Sequence, residues 1–414
     1  MNDLNKKLKT IYWRIASFVV RYYYGNPSKN MKVVAVTGTS GKTTTATLLY
    51  KISTELGYKT ALIGTVENII VKDKTEATMT TPDSVTLTKL FYKMHNAGCE
   101  YIFMEASSHA IDQNRISGIN FTGGIFTNLS QDHFDYHKNF ENYFKAKKKF
   151  FSMLSKKAFA LSNIDDKYGS RMLENINAQP FTYGFNGSEN DTLFYGEIKK
   201  MDFGGLEMLF NNISIKTKLL GRFNAYNLLS VWSACSLLGF DMVKVNKILE
   251  NIAPPVGRFQ HFTSQTGVLV IVDYAHKPDA LEKIFFAIKE VIGGKGKLIS
   301  VFGCGGDRDP FKRPIMGKIG AVNSDIAIFT SDNPRSEDPD RIIEDMKGTL
   351  SPEELKKVIT IQNRREAVLE SVKLAINGDI ILCAGKGHEN YQIIKGVKSH
   401  FDDIEEFQKA YAKL

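Results

Sequence analysis

A short apolar run, Val33 to Val36, leads directly into Thr37-Gly38-Thr39-Ser40-Gly41-Lys42-Thr43-Thr44-Thr45, and Lys42 to Leu56 has the pattern of a helix. A strand that turns through glycines into a helix N-terminus is the setting of a phosphate loop. Glycines let backbone N–H groups close on phosphate oxygens, and the helix N-terminus adds partial positive charge. Gly38, Thr39, Ser40, Gly41, Lys42, Thr43 and Thr44 are therefore candidate ATP contacts. Lys42 is expected to neutralise the β- and γ-phosphates, and the Thr43 hydroxyl to ligate Mg2+. The strict pattern has glycine at position 36, where this chain has Val36, so an ordinary glycine turn is the alternative.

Such a loop requires a sheet behind it, and the sequence supplies one. Thr60 to Ile63, Tyr101 to Met104 and Gly124 to Phe126 are further apolar strand candidates, alternating with helical stretches. This alternation predicts a mostly parallel sheet covered by helices. Phe181 to Lys218 differs, being punctuated by Gly and Asn and more hairpin-like. A second series follows: strands at Val268 to Val272, Lys297 to Phe302, Ile326 to Phe329, Val358 to Ile361 and Ile380 to Cys383. The helices expected between them are Pro278 to Val291, Pro339 to Lys347 and Arg364 to Ile376. The expected class is α/β, a central phosphate-loop ATPase domain (31–257) followed by a C-terminal Rossmann-like domain (258–414). Pro254-Pro255-Val256-Gly257 reads as the hinge, and residues 1–30 as a separate helical segment.

In that segment Ile11, Ile15, Phe18, Val19 and Tyr22 recur at helical spacing, predicting an amphipathic helix that packs on the next domain. Peripheral membrane contact through residues 11–24 is the minor alternative. No apolar run approaches the roughly 18 residues that span a bilayer, and the four cysteines are too dispersed for a disulfide framework. A cytoplasmic location is expected. The net charge of +9 suits nucleic acid or phosphorylated small molecules. The basic residues are scattered, apart from Lys145, Lys147, Lys148 and Lys149, which favours small-molecule substrates and no nucleic acid.

Further blocks follow the loop in order: Thr80-Thr81-Pro82-Asp83, Met104-Glu105-Ala106-Ser107-Ser108-His109, Phe126-Thr127-Asn128-Leu129 and Asp132-His133-Phe134-Asp135-Tyr136-His137. Beyond them stand Val272-Asp273-Tyr274-Ala275-His276, Gly303-Cys304-Gly305-Gly306-Asp307-Arg308-Asp309 and Ala384-Gly385-Lys386-Gly387-His388-Glu389. With the Thr-Gly-Thr-x-Gly-Lys-Thr-Thr loop, this series resembles the Mur ligases, whose relatives include folylpolyglutamate and cyanophycin synthetases. Ser40 stands where those loops more usually carry asparagine. The resemblance implies ATP-driven amide-bond formation: a carboxylate is phosphorylated, and an amine attacks the acyl phosphate.

The resemblance also assigns roles. Glu105 and His133 would hold Mg2+, with Lys147 as a carbamate adding an oxygen ligand suited to a hard cation. Read alone, Glu105 is a carboxylate paired with a base, His133 a solvated loop residue, and the lysine run a solvated helix face. Thr80, Thr81, Ser107 and Arg115 would contact the sugar-peptide substrate, with turn and cap duties as the alternative for the first three. Asn224 and Asn227 would lie on the adenine side, unless they simply cap a helix. Arg258 and Asp273 would reach ATP, with His276 beside them.

Asp332-Asn333-Pro334-Arg335 resembles the motif of the family's meso-diaminopimelate-adding members. Diaminopimelate differs from lysine by a carboxylate at its far end, which a planar guanidinium clamps with two hydrogen bonds. Arg308 would hold a carboxylate and Glu389 the distal ammonium, with Asn333 and the Gly385 backbone completing the pocket. The resemblance further implies a domain of about a hundred residues ahead of the loop that holds a UDP group. Here the loop opens at Thr37, so a chain lacking that domain is expected, with UDP held more weakly or a precursor carrying another group such as a lipid. The competing readings are a related ligase with another acceptor and a nucleotide-binding scaffold without catalysis. A monomer is expected.

Overall fold

The computed structural model describes residues 19–20, 22–186, 193–202, 204–292 and 296–413. Most of the amphipathic helix expected over Ile11 to Tyr24 lies outside them; Tyr22 to Tyr24 are helical. The chain falls into two units, the first comprising Met1–Met201 and Gly205–Ala253 and the second Asp202–Gly204 and Pro254–Leu414.

In the first unit the strands are β1 (Lys32–Thr37), β2 (Thr60–Ile63), β3 (Glu67–Ile70), β4 (Asp73–Glu76), β5 (Tyr101–Glu105), β6 (Phe121–Phe126), β7 (Phe159–Asn163), β8 (Gln179–Gly184), β9 (Phe194–Asp202), β10 (Gly205–Phe210) and β11 (Ile213–Thr217). They form one sheet in the order β11-β10-β9-β8-β7-β6-β1-β5-β2-β3-β4. Its centre is parallel: β1 lies between β5 and β6, and both run in its direction. Side chains alternate across this sheet, so Val34 and Val36 enter one apolar core while Val33 and Ala35 enter the other. A strand buried on both faces must be apolar at every position, which is why β1 stands out as a continuous hydrophobic run.

The hairpin-like reading of Phe181 to Lys218 fails at its start, β8, and holds where β9, β10 and β11 follow one another as sheet neighbours. β10 and β11 pair antiparallel, whereas β8 is parallel to β7 and β9 parallel to β8. Helix Arg222–Leu237 contributes Leu228, Leu229, Val231 and Trp232 to the core that also receives Val34 and Val36.

The second unit has β12 (Gln260–Thr263), β13 (Leu269–Asp273), β14 (Leu298–Phe302), β15 (Ile326–Phe329), β16 (Val358–Thr360) and β17 (Ile380–Ala384) in the order β12-β13-β17-β14-β15-β16. All pairs are parallel except the edge pair β12–β13. A hairpin of β18 (Tyr391–Ile394) and β19 (Val397–His400) follows β17. Helix Lys312–Asn323 has no counterpart in the sequence reading, because Pro314, Gly317 and Gly320 suggest breaks. Pro314 falls in the first turn, where its missing N–H costs nothing. Gly317 is a packing requirement, since a Cβ there would lie 1.9 Å from the Met346 carbonyl oxygen.

Beside β17, Arg364 and Asp403 form a fully buried pair at 2.7 Å. Arg364 Nη2 also donates to the Ala384 carbonyl at 3.0 Å, tying the last helix, Asp403–Tyr411, to the end of β17.

Candidate functional site

Because β1, β5 and β6 are parallel, their carboxyl ends converge, and each releases a segment at the same edge. These are the loop from Thr37, Glu105 to Ser107, and Thr127 to Ser130. Open α/β sheets place their ligands at this edge. The loop does not hold itself. Asn128 Oδ1 accepts from the Ser40 N–H at 3.0 Å, and the Asn128 carbonyl accepts from the Thr39 N–H at 2.9 Å. Thr127 Oγ1 donates to the Ser40 carbonyl at 2.7 Å, and Thr39 Oγ1 accepts from the Ser130 N–H at 3.0 Å. A Cβ on Gly38 would lie 1.9 Å from Thr127 Oγ1, and one on Gly41 would lie 2.4 Å from Asn227 Oδ1. Gly41 also has φ 84°, a left-handed conformation that glycine adopts without strain at the start of helix Lys42–Glu55. Lys42 Nζ folds over the loop, donating to the carbonyls of Gly38 and Thr39 at 2.9 and 2.8 Å. Thr44 is buried in the first helical turn.

Glu105 ends β5, almost fully buried at 1% exposure. Its Oε2 accepts from Thr43 Oγ1 at 3.0 Å, while its Oε1 accepts from the Thr65 N–H at 2.7 Å and the Thr65 hydroxyl at 3.0 Å. Burying a carboxylate among neutral donors leaves its charge available to a cation. Lys147, on helix Phe140–Ser152, is also 1% exposed, and its Nζ donates to the Gly38 carbonyl at 2.7 Å. The reading of the lysine run as a solvated face fails at this position. Burial, reinforced by the Lys42 charge, holds the Lys147 amine well below the usual lysine range. The Tyr143 ring lies 4.5 Å from that Nζ, and the Tyr143 hydroxyl is 3.2 Å from Thr39 Oγ1.

His133, at φ 56°, stands with Asp132 (Nε2 to Oδ2, 3.4 Å) and edge-on to His109, with ring centroids 4.8 Å apart. Among the described residues no group of three or more His, Cys, Asp or Glu side chains could hold a metal. Any metal site at this edge would therefore draw on hydroxyl and lysine-derived ligands as well as on Glu105 and His133.

Thr80, Thr81, Ser107 and Arg115 gather beside Glu105. Thr80 Oγ1 accepts from Thr65 Oγ1 at 3.1 Å. The Thr81 hydroxyl is occupied within the protein, donating to the Glu105 carbonyl at 2.7 Å and accepting from the Ser107 N–H at 3.0 Å. Ser107 caps helix Ser108–Asp112, accepting from the Ala110 N–H. Arg115 donates to the Thr81 carbonyl at 3.1 Å and to Gln113 Oε1 at 2.9 Å. Asn227 Nδ2 donates to Asn224 Oδ1 at 3.2 Å, and Asn224 Nδ2 to the Leu220 carbonyl at 2.8 Å. The N-cap of that helix is Gly221, so neither asparagine serves as its cap.

In the second unit the parallel strands again release their loops at one edge. Asp273, buried at the end of β13, accepts from the N–H groups of Phe259 and Ala275 at 2.7 and 2.8 Å. Burial pushes its carboxyl up to about 6 despite the opposing Arg258 charge. Arg258 faces the Tyr274 ring at 5.3 Å, and His276 and His388 each stand 4.6 Å from that ring. Burial, then the charges of Arg258 and His276, push the His388 imidazole down to about 4.

Asp332, Asn333, Pro334 and Arg335 follow β15. Arg335 Nη1 donates to the carbonyls of Gly306 and Asn333 at 2.7 and 3.3 Å. A Cβ on Gly305 would meet both Arg335 Nη1 at 3.0 Å and Arg308 Cγ at 3.6 Å, so the two arginines flank that glycine. Asn333 Nδ2 donates to Glu389 Oε2 at 2.8 Å. Gly385, at φ 112°, faces the Asp332 carboxylate. The structure thus brings together all the residues expected in the amino-acid pocket. Reasoning from sequence assigned no role to Thr65, Gln113, Thr127, Asn128, Tyr143 or Lys386. Thr127, Asn128 and Lys386 lie in quoted blocks, but Thr65 carries no local signal.

Comparisons with known proteins agree with this architecture. Residues 36–235 match the Mur ligase middle domain, and residues 257–387 match the Mur ligase, glutamate ligase domain. The UDP-N-acetylmuramoyl-L-alanyl-D-glutamate--2,6-diaminopimelate ligase of Phocaeicola vulgatus is 49% identical over 390 residues, covering 94% of this chain and 80% of that protein. The protein of the same name from Clostridium botulinum is 43% identical, over 95% of this chain and 80% of its own length. A solved structure of such a ligase superposes with a TM-score of 0.72 at 32% identity, covering 98% of this chain and 83% of that one. Folylpolyglutamate synthase from Thermotoga maritima shares the fold, with a TM-score of 0.69 at 13% identity over 93% of this chain and 94% of its own. On these matches, which span most of its length, the chain belongs to the Mur ligase family.

Proposed function

We propose that this protein is an ATP-dependent carboxylate–amine ligase. It would add meso-diaminopimelate to the D-glutamate carboxylate of UDP-N-acetylmuramoyl-L-alanyl-D-glutamate through an acyl phosphate, in peptidoglycan synthesis. The observation that carries the reading is the meeting of Thr43, from the phosphate loop, with the buried Glu105 carboxylate from another strand at 3.0 Å. A hydroxyl and a carboxylate without a protein cation suit a hard divalent ion. Thr43, Glu105, His133 and a carbamate on Lys147 would hold Mg2+. When bound, Mg2+ supplies charge neutralisation between phosphate and carboxylate.

The chain's own residues do the rest. Loop N–H groups and Lys42 orient the phosphates, because two anions must approach for the acyl phosphate to form. Asn227 bounds the loop near Gly41 and, with Asn224, forms the adenine side; Arg258 and Asp273 are further candidate ATP contacts. Arg115 and Ser107, with Thr80 and Thr81 behind them, position the muramoyl peptide. Arg335 takes the far carboxylate of diaminopimelate, Arg308 a carboxylate, and Glu389 the distal ammonium. Lysine would leave Arg335 without its anion, and an unpaired polar group is the kind of mismatch that rejects a competitor strongly. Among the described residues no helix is long and apolar enough to cross a membrane. An ATP-consuming reaction of this kind belongs in the cytoplasm, and we expect the protein to act as a monomer.

The test is phosphate release from ATP with diaminopimelate, lysine or glutamate, each with the UDP-linked dipeptide or its UDP-free counterpart. Release that requires diaminopimelate and the UDP-linked dipeptide is expected. Absence of release with every amine acceptor would sink the ligase reading. Equal turnover with lysine would sink the role of Arg335.

A further inference from the structure

Lys386 is the most deeply buried cation of the second unit's loop edge, at 0% exposure, and no part of the proposed chemistry uses it. It sits between two glycines with positive φ, Gly385 at 112° and Gly387 at 55°. A Cβ on Gly387 would come within 2.7 Å of the Tyr274 backbone nitrogen, so the loop presses against the chain after β13. This tight turn sends the Lys386 side chain inward. Its Nζ donates to the Tyr391 carbonyl at 2.8 Å and to Asn333 Oδ1 at 3.2 Å, and stands 3.3 Å from Asp332 Oδ1 and 3.9 Å from Glu389 Oε2.

Two consequences follow. Asn333 Oδ1 receives two donors, Lys386 Nζ and the Ile393 N–H at 2.9 Å, so the amide is fixed with Nδ2 toward Glu389. Asp332 and Glu389 also share the buried Lys386 ammonium, while Arg335 adds its charge near Glu389 and Arg364 and Lys312 add theirs near Asp332. With Lys386 drawn closer to Asp332, at 3.3 Å against 3.9 Å, Glu389 is the carboxylate left to receive the ammonium of an incoming amino acid. Without the lysine, two neighbouring carboxylates in low dielectric favour protonation of one of them.

We propose that Lys386 is a specificity-determining positioning residue. It aligns Asn333 and balances Asp332 so that Glu389 alone presents its charge to the far ammonium of the amino-acid substrate. The inference rests on the diaminopimelate reading of this pocket. Burial, then the Asp332 charge, already raise the Glu389 carboxyl above its usual range, with Lys386, Asn333 and then Arg335 pulling it back.

The experiment uses the full chain with Lys386→Met and the double variant Asp332→Asn/Lys386→Met. It measures KM for diaminopimelate, KM for ATP, kcat and the thermal midpoint. For Lys386→Met, KM for diaminopimelate should rise about thirtyfold, in line with truncating one partner of a buried charge network. KM for ATP should move less than about twofold, the scatter of an uninvolved site. The double variant, with the charge balance restored, should recover about tenfold of that loss. A diaminopimelate-dependent wild type with unmoved KM in Lys386→Met overturns the inference alone. So does a uniform loss across KM for ATP, KM for diaminopimelate and kcat, which marks a merely structural residue. If Lys386→Met does not fold, the double variant decides: normal folding with near-wild-type KM for diaminopimelate supports charge balance, and failure to fold overturns it. A wild type indifferent to diaminopimelate overturns the proposed function, and this inference with it.

Discussion

Arg335 has φ 54°, in the left-handed region where a long side chain is strained. Replacing it with glycine separates what the backbone wants from what the pocket needs. Relief of the left-handed strain is worth about 1 kcal/mol. The extra freedom of glycine in the unfolded chain costs roughly the same. The N–H bond of residue 335 to the Ile393 carbonyl, 3.0 Å, survives the change. The guanidinium bonds to Gly306 and Asn333 do not, and at a half-buried surface their loss costs about 1 kcal/mol. Arg335→Gly should therefore lose only about 1 kcal/mol, or roughly 2–4 °C in the midpoint of a unit this size. Arg335→Ala loses the same bonds and keeps the strain, so it should be no more stable than Arg335→Gly, although alanine is ordinarily the more stable of the two by about 0.5–1 kcal/mol. The function should change far more. A clamp of two charge-assisted hydrogen bonds, discounted for partial exposure, is worth about 2–4 kcal/mol. That corresponds to roughly 30- to 1000-fold in KM for diaminopimelate, with turnover of lysine unchanged or improved. Thermal melts and KM for both amino acids provide the assay. If the glycine variant still rejects lysine by the wild-type ratio, Arg335 is not the discriminator. If alanine is the more stable of the two, the backbone argument is wrong.

Gly38→Ala places a Cβ 1.9 Å from Thr127 Oγ1. It should abolish ATP binding, measured by titration calorimetry, while diaminopimelate-site melts change little. Depleting dissolved carbon dioxide should lower activity and bicarbonate should restore it, because the Lys147 amine is held toward its neutral, carbamate-forming state; Lys147→Ala should show no such response. Asp273 keeps its proton in the folded protein up to about pH 6, against an ordinary aspartate value of 3.8, so the native state binds more protons in that window. Stability should then fall as pH rises from about 4 to 6, by at most about 3 kcal/mol from this group, and Asp273→Asn should flatten that slope in urea melts. Arg364→Met strands the buried Asp403 carboxylate and should cost about 3–5 kcal/mol, most of it recovered in Arg364→Met/Asp403→Leu.

The parallel strands were legible because burial on both faces forces uninterrupted apolar runs, and the boundaries of β2 and β15 coincide with those runs. The loop was legible because its glycines have no substitute: at Gly41 both φ and the approach of Asn227 forbid a side chain. β8 was misread because Gln179 and Pro180 expose its start, and an edge-like sequence conceals parallel pairing. Lys386 and Thr65 escaped notice for another reason. Their importance lies in what they touch across the fold, Asn333 and Glu105, and no local pattern encodes a contact.

The clasp of Thr127 and Asn128 on the phosphate loop has a consequence for both variation and motion. It grips residue 40 through the backbone N–H and carbonyl, leaving the Ser40 side chain exposed. The shape of the loop is thus cast by the neighbouring strand and is indifferent to the identity of residue 40, which is why serine serves where relatives more usually carry asparagine. The same clasp makes the loop and the segment after β6 one cooperative opening unit. In native-state hydrogen exchange the amides of Thr39, Ser40 and Ser130 should exchange with a common free energy, and substituting Asn128 should lower it for all three together.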